Sequence, residues 1–166
     1  MASVAGGFTV RSVPARLLLT MDDLTQAVTH GLRERGSRAQ CRSDGEALLI
    51  DLIGLTLSEW LPRIDVPVRV TWKLDVGAQR LRVEVRVRLS GLASLLLVPG
   101  QHLGGGRLAI DALVMAAGLR AAVVARDNTG VEIDLARAPG GDAWRLAGLG
   151  LDDGAEPGLV GLFQLR

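Results

Sequence analysis

Alternation of apolar and polar residues over residues 66–89 constrains the fold more than any other feature of this sequence. The stretch reads VPVRVTWKLDVGAQRLRVEVRVRL and places an apolar residue at every second position of two successive runs. A period of two is typical of β-strands that bury one face. Gly77-Ala78, between the runs, predicts a two-residue type II′ turn and therefore a hairpin. The resulting register pairs Leu74 with Leu81, Trp72 with Val83 and Val70 with Val85.

A capped amphipathic helix is predicted upstream of this hairpin, over residues 20–35. Thr20 is a good N-cap residue, and Asp23 three positions later completes a capping box. Leu19 and Leu24 have the spacing of a hydrophobic staple. A sheet with one polar face needs a cover for its apolar face, and this helix is the natural cover. Its apolar stripe consists of Leu24, Ala27, Val28 and Leu32.

The remaining segments predict further strands and two shorter helices. Antiparallel strands dominate, so the expected fold is α+β, with residues 1–166 forming a single domain. In it a curved antiparallel sheet with long hairpins wraps on the N-terminal helix. The further elements are a hairpin of residues 38–43 and 46–53 that turns at Asp44-Gly45, a capped helix over 56–61, a buried helix over 108–117, a hairpin that turns at 127–130, and a last strand over 143–151.

Composition adds limits to both the core and the cellular context. Hydrophobic residues make up 48% of the 166 residues, but aromatic residues only 3%, so the core must consist mainly of Leu, Val, Ile and Ala. The abundant Arg, Ala and Gly indicate a GC-rich, bacterial genome. No signal-peptide pattern and no run of about 20 apolar residues is present, so a soluble cytoplasmic protein is expected.

No catalytic or metal-binding signature is present. Cys41 is the only cysteine, which excludes an internal disulfide and favours a small buried side chain. His30 and His102 have no second ligand residue at metal-binding spacing. The glycine-rich loop around His102 is neither a P-loop nor a dinucleotide fingerprint. The sequence therefore predicts no catalytic residue, no metal site and no cofactor.

The polar face of the main hairpin is unusually basic. It carries six positive and two negative charges, and the register places Arg69 opposite Arg86 and Lys73 opposite Arg82, which is unfavourable for like charges. Three explanations stay open: a solvated face, an anionic ligand or membrane surface, and an acidic protein surface such as residues 127–166, with seven acids against three arginines. Nucleic acid is not expected, because net charge is only +1 and no aromatic residues interleave with the arginines. The candidate residues for an anionic partner are Arg69, Lys73, Arg82, Arg86 and Arg88.

The segment RLLLTMDDLTQAVTHGL, followed by the hairpin, resembles small bacterial lipid-binding domains of the tubular, TULIP-like kind. In those domains an edge strand ending in Leu-Thr leads into a helix, and long amphipathic hairpins curl around it. The likeness covers about residues 17–90 and rests on Leu19, Thr20, Leu24 and the hairpin. It implies a lipid-like ligand held between helix and sheet.

The leading functional hypothesis is a non-enzymatic domain that binds a hydrophobic or amphipathic ligand. An aliphatic core facing a curved sheet leaves room for an apolar cavity that accepts acyl chains. The alternative is a homo-oligomeric assembly or scaffold protein without a small ligand, and an enzyme of unknown class is the third reading. The residues expected to line the cavity are Leu24, Val28, Val70, Trp72, Leu74, Val83 and Val85.

Overall fold

The computed structural model describes residues 14–33, 36–56, 59, 62–88, 110–111, 114–115, 117–127 and 129–166. Within these residues nine strands form two antiparallel sheets, which confirms the predicted α+β class. In chain order the elements are β1 (Ala15–Thr20), α1 (Met21–Gly31), β2 (Arg38–Asp44), β3 (Ala47–Leu55), β4 (Ile64–Asp75), β5 (Arg80–Val87), β6 (Val123–Arg126), β7 (Gly130–Asp134), β8 (Trp144–Asp152) and β9 (Gly158–Leu165). Two short 3-10 turns, Arg120–Ala122 and Leu135–Arg137, flank the β6–β7 hairpin.

The two sheets differ in size and in the origin of their strands. The larger has six strands in the order β2-β3-β4-β5-β7-β6, and the smaller has three in the order β1-β9-β8. In the smaller sheet the first strand of the described chain pairs with the last. The three-stranded sheet therefore forms only when the two ends of the described chain have come together.

The predicted register of the main hairpin is confirmed, but its predicted turn is wrong. Strand β4 pairs with β5 so that Leu74, Trp72 and Val70 face Leu81, Val83 and Val85. The ladder ends at the pair Asp75–Arg80, which leaves a four-residue loop over 76–79. Gln79 adopts a φ of 52°, whereas Gly77 has no positive φ, so a type II′ turn at Gly77-Ala78 is excluded. The Asp75 carboxylate instead accepts a hydrogen bond from the Ala78 N–H, three residues on (2.9 Å), and this bond stabilises the loop.

The hairpin of β2 and β3 forms as predicted, with its turn one residue later. Asp44 pairs with Ala47, so the two turn residues are Gly45 and Glu46 rather than Asp44 and Gly45. Gly45 has a φ of 61°, and Glu46 is not among the residues of positive φ. This combination is typical of a type II′ turn, which requires positive φ at the first turn position alone.

The capping box at the start of α1 is confirmed. The Thr20 hydroxyl accepts from the Asp23 N–H, and the Asp23 carboxylate accepts from the Thr20 N–H, both at 3.1 Å. The helix ends at Gly31, earlier than the predicted residue 35. Gly31 is a weak helix former, and the N–H of Leu32 bonds back to the last turn and closes it.

Two threonines hold α1 against β2, the edge strand of the six-stranded sheet. The Thr25 hydroxyl accepts from the Cys41 N–H (2.9 Å), and the Thr29 hydroxyl accepts from the Ala39 N–H (3.0 Å). These N–H groups lie on the side of β2 that has no strand partner in the sheet order. The helix therefore covers one edge of the sheet, while Val28 reaches the core between the layers.

Strand β9 was not predicted, and the expectation that β8 is the last strand is wrong. The sequence of β9, GLVGLFQL, contains two glycines, which weaken the pattern expected of a strand. A Cβ on Gly158 would collide with the backbone of Leu19, and one on Gly161 with the ring of Phe163. The close approach of β9 to β1 therefore requires glycine at 158, whereas the crowding at 161 comes from Phe163 of the same strand.

The other predicted elements are covered unevenly by the described residues. The hairpin of β6 and β7 is confirmed. Helical geometry at residues 110–111 and 114–115, followed by Gly118 with a φ of 66°, agrees with the helix predicted over 108–117. The helix predicted over 56–61 lies mostly outside the described residues, and so does the loop that carries His102.

The loop between β4 and β5 joins the two sheets. The Gln79 side chain is 7% exposed, donates to the carbonyl of Leu146 (3.0 Å) and accepts from its N–H (2.8 Å). The same amide also donates to the carbonyl of Val76 (2.7 Å). One side chain thus supplies the paired donor and acceptor that a neighbouring strand would offer to β8.

Candidate functional site

An apolar cavity of about 220 Å³ lies between the two sheets and the helical segments. The six-stranded sheet contributes its inner face, the three-stranded sheet contributes the face that carries Leu149 and Leu159, and α1 closes one side. The described lining residues are Leu19, Leu24, Ala27, Val28, Leu48, Val70, Trp72, Leu81, Val83, Ile110, Val114, Ala117, Leu119, Val131, Ile133, Leu149 and Leu159.

The structure brings together five of the seven residues predicted to line a cavity: Leu24, Val28, Val70, Trp72 and Val83. The remaining two share the inner face but pack elsewhere. Val85 is 5% exposed and belongs to the close-packed core, and Leu74 packs half-buried against it. Period-two alternation assigns a residue to a face but does not locate the empty space along that face.

Further lining residues were missed, and some of them left a signal in the sequence. Val131 and Ile133 alternate with polar residues on β7, and they pair with Val83 and Leu81 of β5. A sheet extended by the predicted hairpin at residues 127–130 would have included them. Leu149 and Leu159 come from the three-stranded sheet, whose glycines and leucines show no comparable contrast between faces.

The N-terminal cap of α1 also shapes the cavity. Leu19 precedes the N-cap and Leu24 lies on the first turn, and both line the cavity wall. The pair has the spacing of the predicted hydrophobic staple, and the capping box between the two residues sets where the helix begins. Thr20 and Asp23 therefore position apolar wall residues through backbone geometry.

The cavity opens to solvent where its lining residues are exposed. Leu19 is 39% exposed, and Ala27 and Ala117 are also exposed. Two large apolar side chains close to these residues in the chain are also exposed: Leu17 (52%), on the same face of β1 as Leu19, and Met115 (58%), between the lining residues Val114 and Ala117. The mouth thus lies between the β1–α1 junction and the helical residues near 115.

The indole of Trp72 has its polar atom satisfied away from the cavity. Its Nε1–H donates to the carbonyl of Leu149 at 3.2 Å, which links β4 to β8. The ring is half-buried and presents carbon atoms to the cavity. The described wall therefore offers a ligand apolar surface and no hydrogen-bonding side chain.

Groups suited to catalysis or metal binding do not accompany this cavity in the described part of the chain. Cys41 is buried, and burial raises the pKa of its thiol, which makes it a poor nucleophile. Among the residues that the structure describes, no three His, Cys, Asp or Glu side chains are placed to hold a metal ion. Within the same residues no helix combines the length and apolarity needed to cross a membrane.

On the opposite face of the β4–β5 hairpin, arginines form ion pairs with acids of neighbouring strands and loops. The register confirms that Arg69 lies opposite Arg86 and Lys73 opposite Arg82. Half of the cations on this face nevertheless find partners within the chain. The ion pairs are Arg69–Asp44 (2.6 Å), Arg80–Glu132 (2.9 Å), Arg82–Asp127 (2.6 Å) and Arg82–Glu84 (3.6 Å).

Arg82 and Asp127 on this face shift each other's pKa. The hydrogen bond from the Arg82 guanidinium holds the pKa of the Asp127 carboxyl well below its usual range. Bonds from Thr129 and from the N–H of Gly130 lower this pKa further. Asp127 in turn raises the pKa of Arg82. Acids of residues 127–166 thus cover part of the basic face within the same chain.

No known protein family, curated protein or solved structure matches this chain. The apolar cavity and the basic sheet face are therefore the two features from which a function can be argued.

Proposed function

We propose that this chain is a non-enzymatic binding domain that holds the aliphatic part of a lipid-like ligand between its two sheets and α1. The observation that carries the proposal is the open cavity of about 220 Å³ with a wholly apolar described wall. An apolar cavity of about 150 Å³ already takes up benzene from water, so this one has room for a hydrocarbon segment.

The properties of the wall define the ligand. Apolar surface transferred from water into the cavity contributes about 25 cal/mol per Å². A polar group in the same place would lose its hydrogen bonds to water and gain none from the described side chains. An amphipathic ligand would therefore insert its hydrocarbon end and leave its polar group in solvent at the mouth.

The cavity is smaller than the roughly 300–1,000 Å³ of most drug-sized sites, so a long acyl chain would project through the mouth. The exposed side chains of Leu17, Leu19 and Met115 would then cover the projecting part. The resemblance of residues 17–90 to tubular lipid-binding domains, with a sheet wrapped on the helix, favours the same class of ligand.

Two cavity variants and one matched control test the proposal with a fluorescent fatty acid. Val83→Phe fills the interior and Ala117→Phe narrows the mouth, whereas Ala125→Phe adds the same ring at an exposed alanine outside the cavity. We expect the first two to weaken fatty-acid binding at least tenfold and the third to leave it unchanged. The circular dichroism spectrum of each variant establishes that it is folded.

Native mass spectrometry of the wild-type protein provides the second measurement. A co-purifying or added fatty acid should appear as a stoichiometric adduct that Val83→Phe lacks. Undiminished binding by a folded Val83→Phe protein, or no uptake of fatty acid by the wild type, would contradict the proposal.

Self-assembly is the second candidate function, and one observation favours it. Strand β1 is an edge strand of the three-stranded sheet, and it exposes Leu17 (52%) and Leu19 (39%). An apolar edge is a template for a strand of another copy, and a lysine at such a position normally prevents that pairing. If β1 mediates assembly, Leu17→Lys should convert an oligomer to a monomer in light scattering, while Val83→Phe leaves the oligomer intact.

A further inference from the structure

Three cations of the β4–β5 hairpin have no acidic partner among the described residues, and we name them the free cation row. They are Lys73 on β4, Arg86 on β5 and Arg88 directly after β5. All three are exposed. Arg69, Arg80 and Arg82 on the same face are paired with acids, so the free cation row is what the ion pairs of this face leave over.

The segments outside the described residues can add almost nothing to neutralise this row. The chain has 18 acidic residues, and all but Glu34 belong to the described part. Residues 1–13 and 89–109 contain no Asp or Glu at all. Even if the Glu34 carboxylate paired with one of the three cations, the other two would keep this surface positive.

The register makes this surface unfavourable for stability. Lys73 lies directly opposite Arg82, and Arg86 directly opposite Arg69. Like charges in directly opposed positions destabilise an antiparallel pair. Gln at the positions of Lys73 and Arg86 would remove this repulsion without affecting any ion pair of the described face, so none of those ion pairs requires these cations.

We propose that the free cation row docks the protein on the surface of an anionic lipid bilayer. Each Lys or Arg beside an anionic leaflet contributes favourably within a Debye length, and the three side chains of the row are exposed on one sheet face. This docking surface is independent of the cavity, because it lies on the opposite face of the same sheet.

The length of the row favours a bilayer over a single soluble anion. Arg82, level with Lys73 on β5, and Arg88, directly after β5, are six residues apart, or about 20 Å at roughly 3.4 Å per residue of extended chain. A single phosphate cannot contact both ends, whereas a layer of headgroups can. A cleft of about 170 Å³ beside Arg88 has room for one headgroup. The two acids that line this cleft, Asp44 and Asp51, are already paired with Arg69 and Arg42.

A second copy of the chain is a poorer partner. Most of the acids in its C-terminal region are already paired with arginines of the same chain. These acids are Asp127, Glu132, Asp134 and Asp152. Asp153 accepts a hydrogen bond from Ser43. Nucleic acid is also disfavoured, since the outward positions of β4 and β5 include no aromatic residue on which bases would stack.

Vesicle flotation with matched triple variants tests this proposal. One variant is Lys73→Gln/Arg86→Gln/Arg88→Gln, and the control is Arg33→Gln/Arg145→Gln/Arg166→Gln, which removes three exposed arginines from other surfaces. Both lower the net charge by the same amount. The vesicles contain either equal parts of phosphatidylglycerol and phosphatidylcholine or phosphatidylcholine alone.

We expect the wild type to bind the anionic vesicles, to ignore the neutral ones, and to dissociate as salt rises past about 0.15 M. The row variant should lose about fivefold in partitioning per removed cation, about 100-fold in all, and the control should lose far less. The midpoint of thermal unfolding of the row variant should be equal to or above that of the wild type, because its like-charge repulsion is gone.

The opposite results would overturn the proposal. Equal losses for the two triple variants would mean that only net charge matters. Binding of the wild type to neutral vesicles, or tighter binding to polyglutamate or to a single-stranded oligonucleotide than to anionic vesicles, would assign the row to a different partner. A failure of fatty-acid binding would leave this result untouched, because the vesicle readout does not involve the cavity.

Discussion

The six-stranded and three-stranded sheets are both antiparallel, yet they are stabilised in different ways. The larger sheet buries a continuous aliphatic face, with Ile50, Leu52 and Leu55 fully buried, and forms cross-strand ion pairs on the other face. The smaller sheet exposes Leu162 (36%) and Leu165 (58%) and is joined to the larger by Gln79 and Trp72. One sheet is thus stable through its own core, while the other depends on side chains that reach it from outside.

The largest expected effect comes from truncating the same residue type in each sheet. Leu52→Ala removes a side chain with no exposed surface and should destabilise the protein by about 4 kcal/mol through loss of burial and creation of a cavity. Leu162→Ala in β9 should cost less than about 1 kcal/mol, because its side chain is already partly in water. Urea unfolding gives both values. Comparable losses would mean that the small sheet has a core of its own.

The next effect concerns the junction between the sheets. Gln79→Ala removes the partner of both the N–H and the C=O of Leu146 and should cost about 3 kcal/mol. Hydrogen exchange should quicken in β8 while β3 stays protected. Gln79→Gly is the matched control, because it also lacks the amide but tolerates the φ of 52°. If the glycine variant is as stable as the wild type, backbone strain and not the amide determines the junction.

A smaller effect is expected where β1 of the small sheet continues into α1. Thr20→Ala removes the N-cap and should cost about 1 kcal/mol. Thr71→Ala, on the outer face of β4, provides the control and should change the unfolding free energy by less than about 0.5 kcal/mol. An equal response of the two threonines in urea unfolding would show that the capping box contributes nothing.

The smallest effect is electrostatic and belongs to the large sheet. Because Arg82 lowers the pKa of Asp127 in the folded state, the ion pair adds stability above the unfolded pKa of about 3.9, and this stability is lost as pH falls through the folded pKa. Asp127→Asn should therefore flatten the acid limb of the thermal-unfolding profile and leave the turn bonds to Thr129 and Gly130 in place. A profile as steep as that of the wild type would assign the acid sensitivity to other carboxylates.

The features that the sequence predicted are those with local causes. Alternation along β4 and β5 determines which residues face inward, and this gave the correct register and three residues of the cavity wall, while the apolar stripe of α1 gave two more. The capping box at Thr20 depends on residues three apart. In each case the interacting groups are neighbours in the chain or are aligned by a short loop.

The features that were missed depend on contacts between distant segments. The hydroxyls of Thr25 and Thr29 gain their role only once β2 becomes an edge strand beside α1. Gly158 of β9 is required by the close approach of Leu19 in β1, which lies at the other end of the described chain. The extent of the cavity depends on Leu149 and Leu159, and their position requires the second sheet to exist.

The threonine contacts of α1 also govern what happens when the helix opens. With α1 in place, the hydroxyls of Thr25 and Thr29 accept from the N–H groups of Cys41 and Ala39 respectively, so these two groups are not available to a foreign strand at β2. Fraying of the helix would free those N–H groups beside the alternating buried side chains of β2. The exposed edge of β2 could then pair with strands of other copies of the chain. The helix is thus expected to protect β2 against fibre growth. A variant with a weakened first turn of α1 should shorten the lag time of aggregation even where the calorimetric enthalpy of unfolding is unchanged.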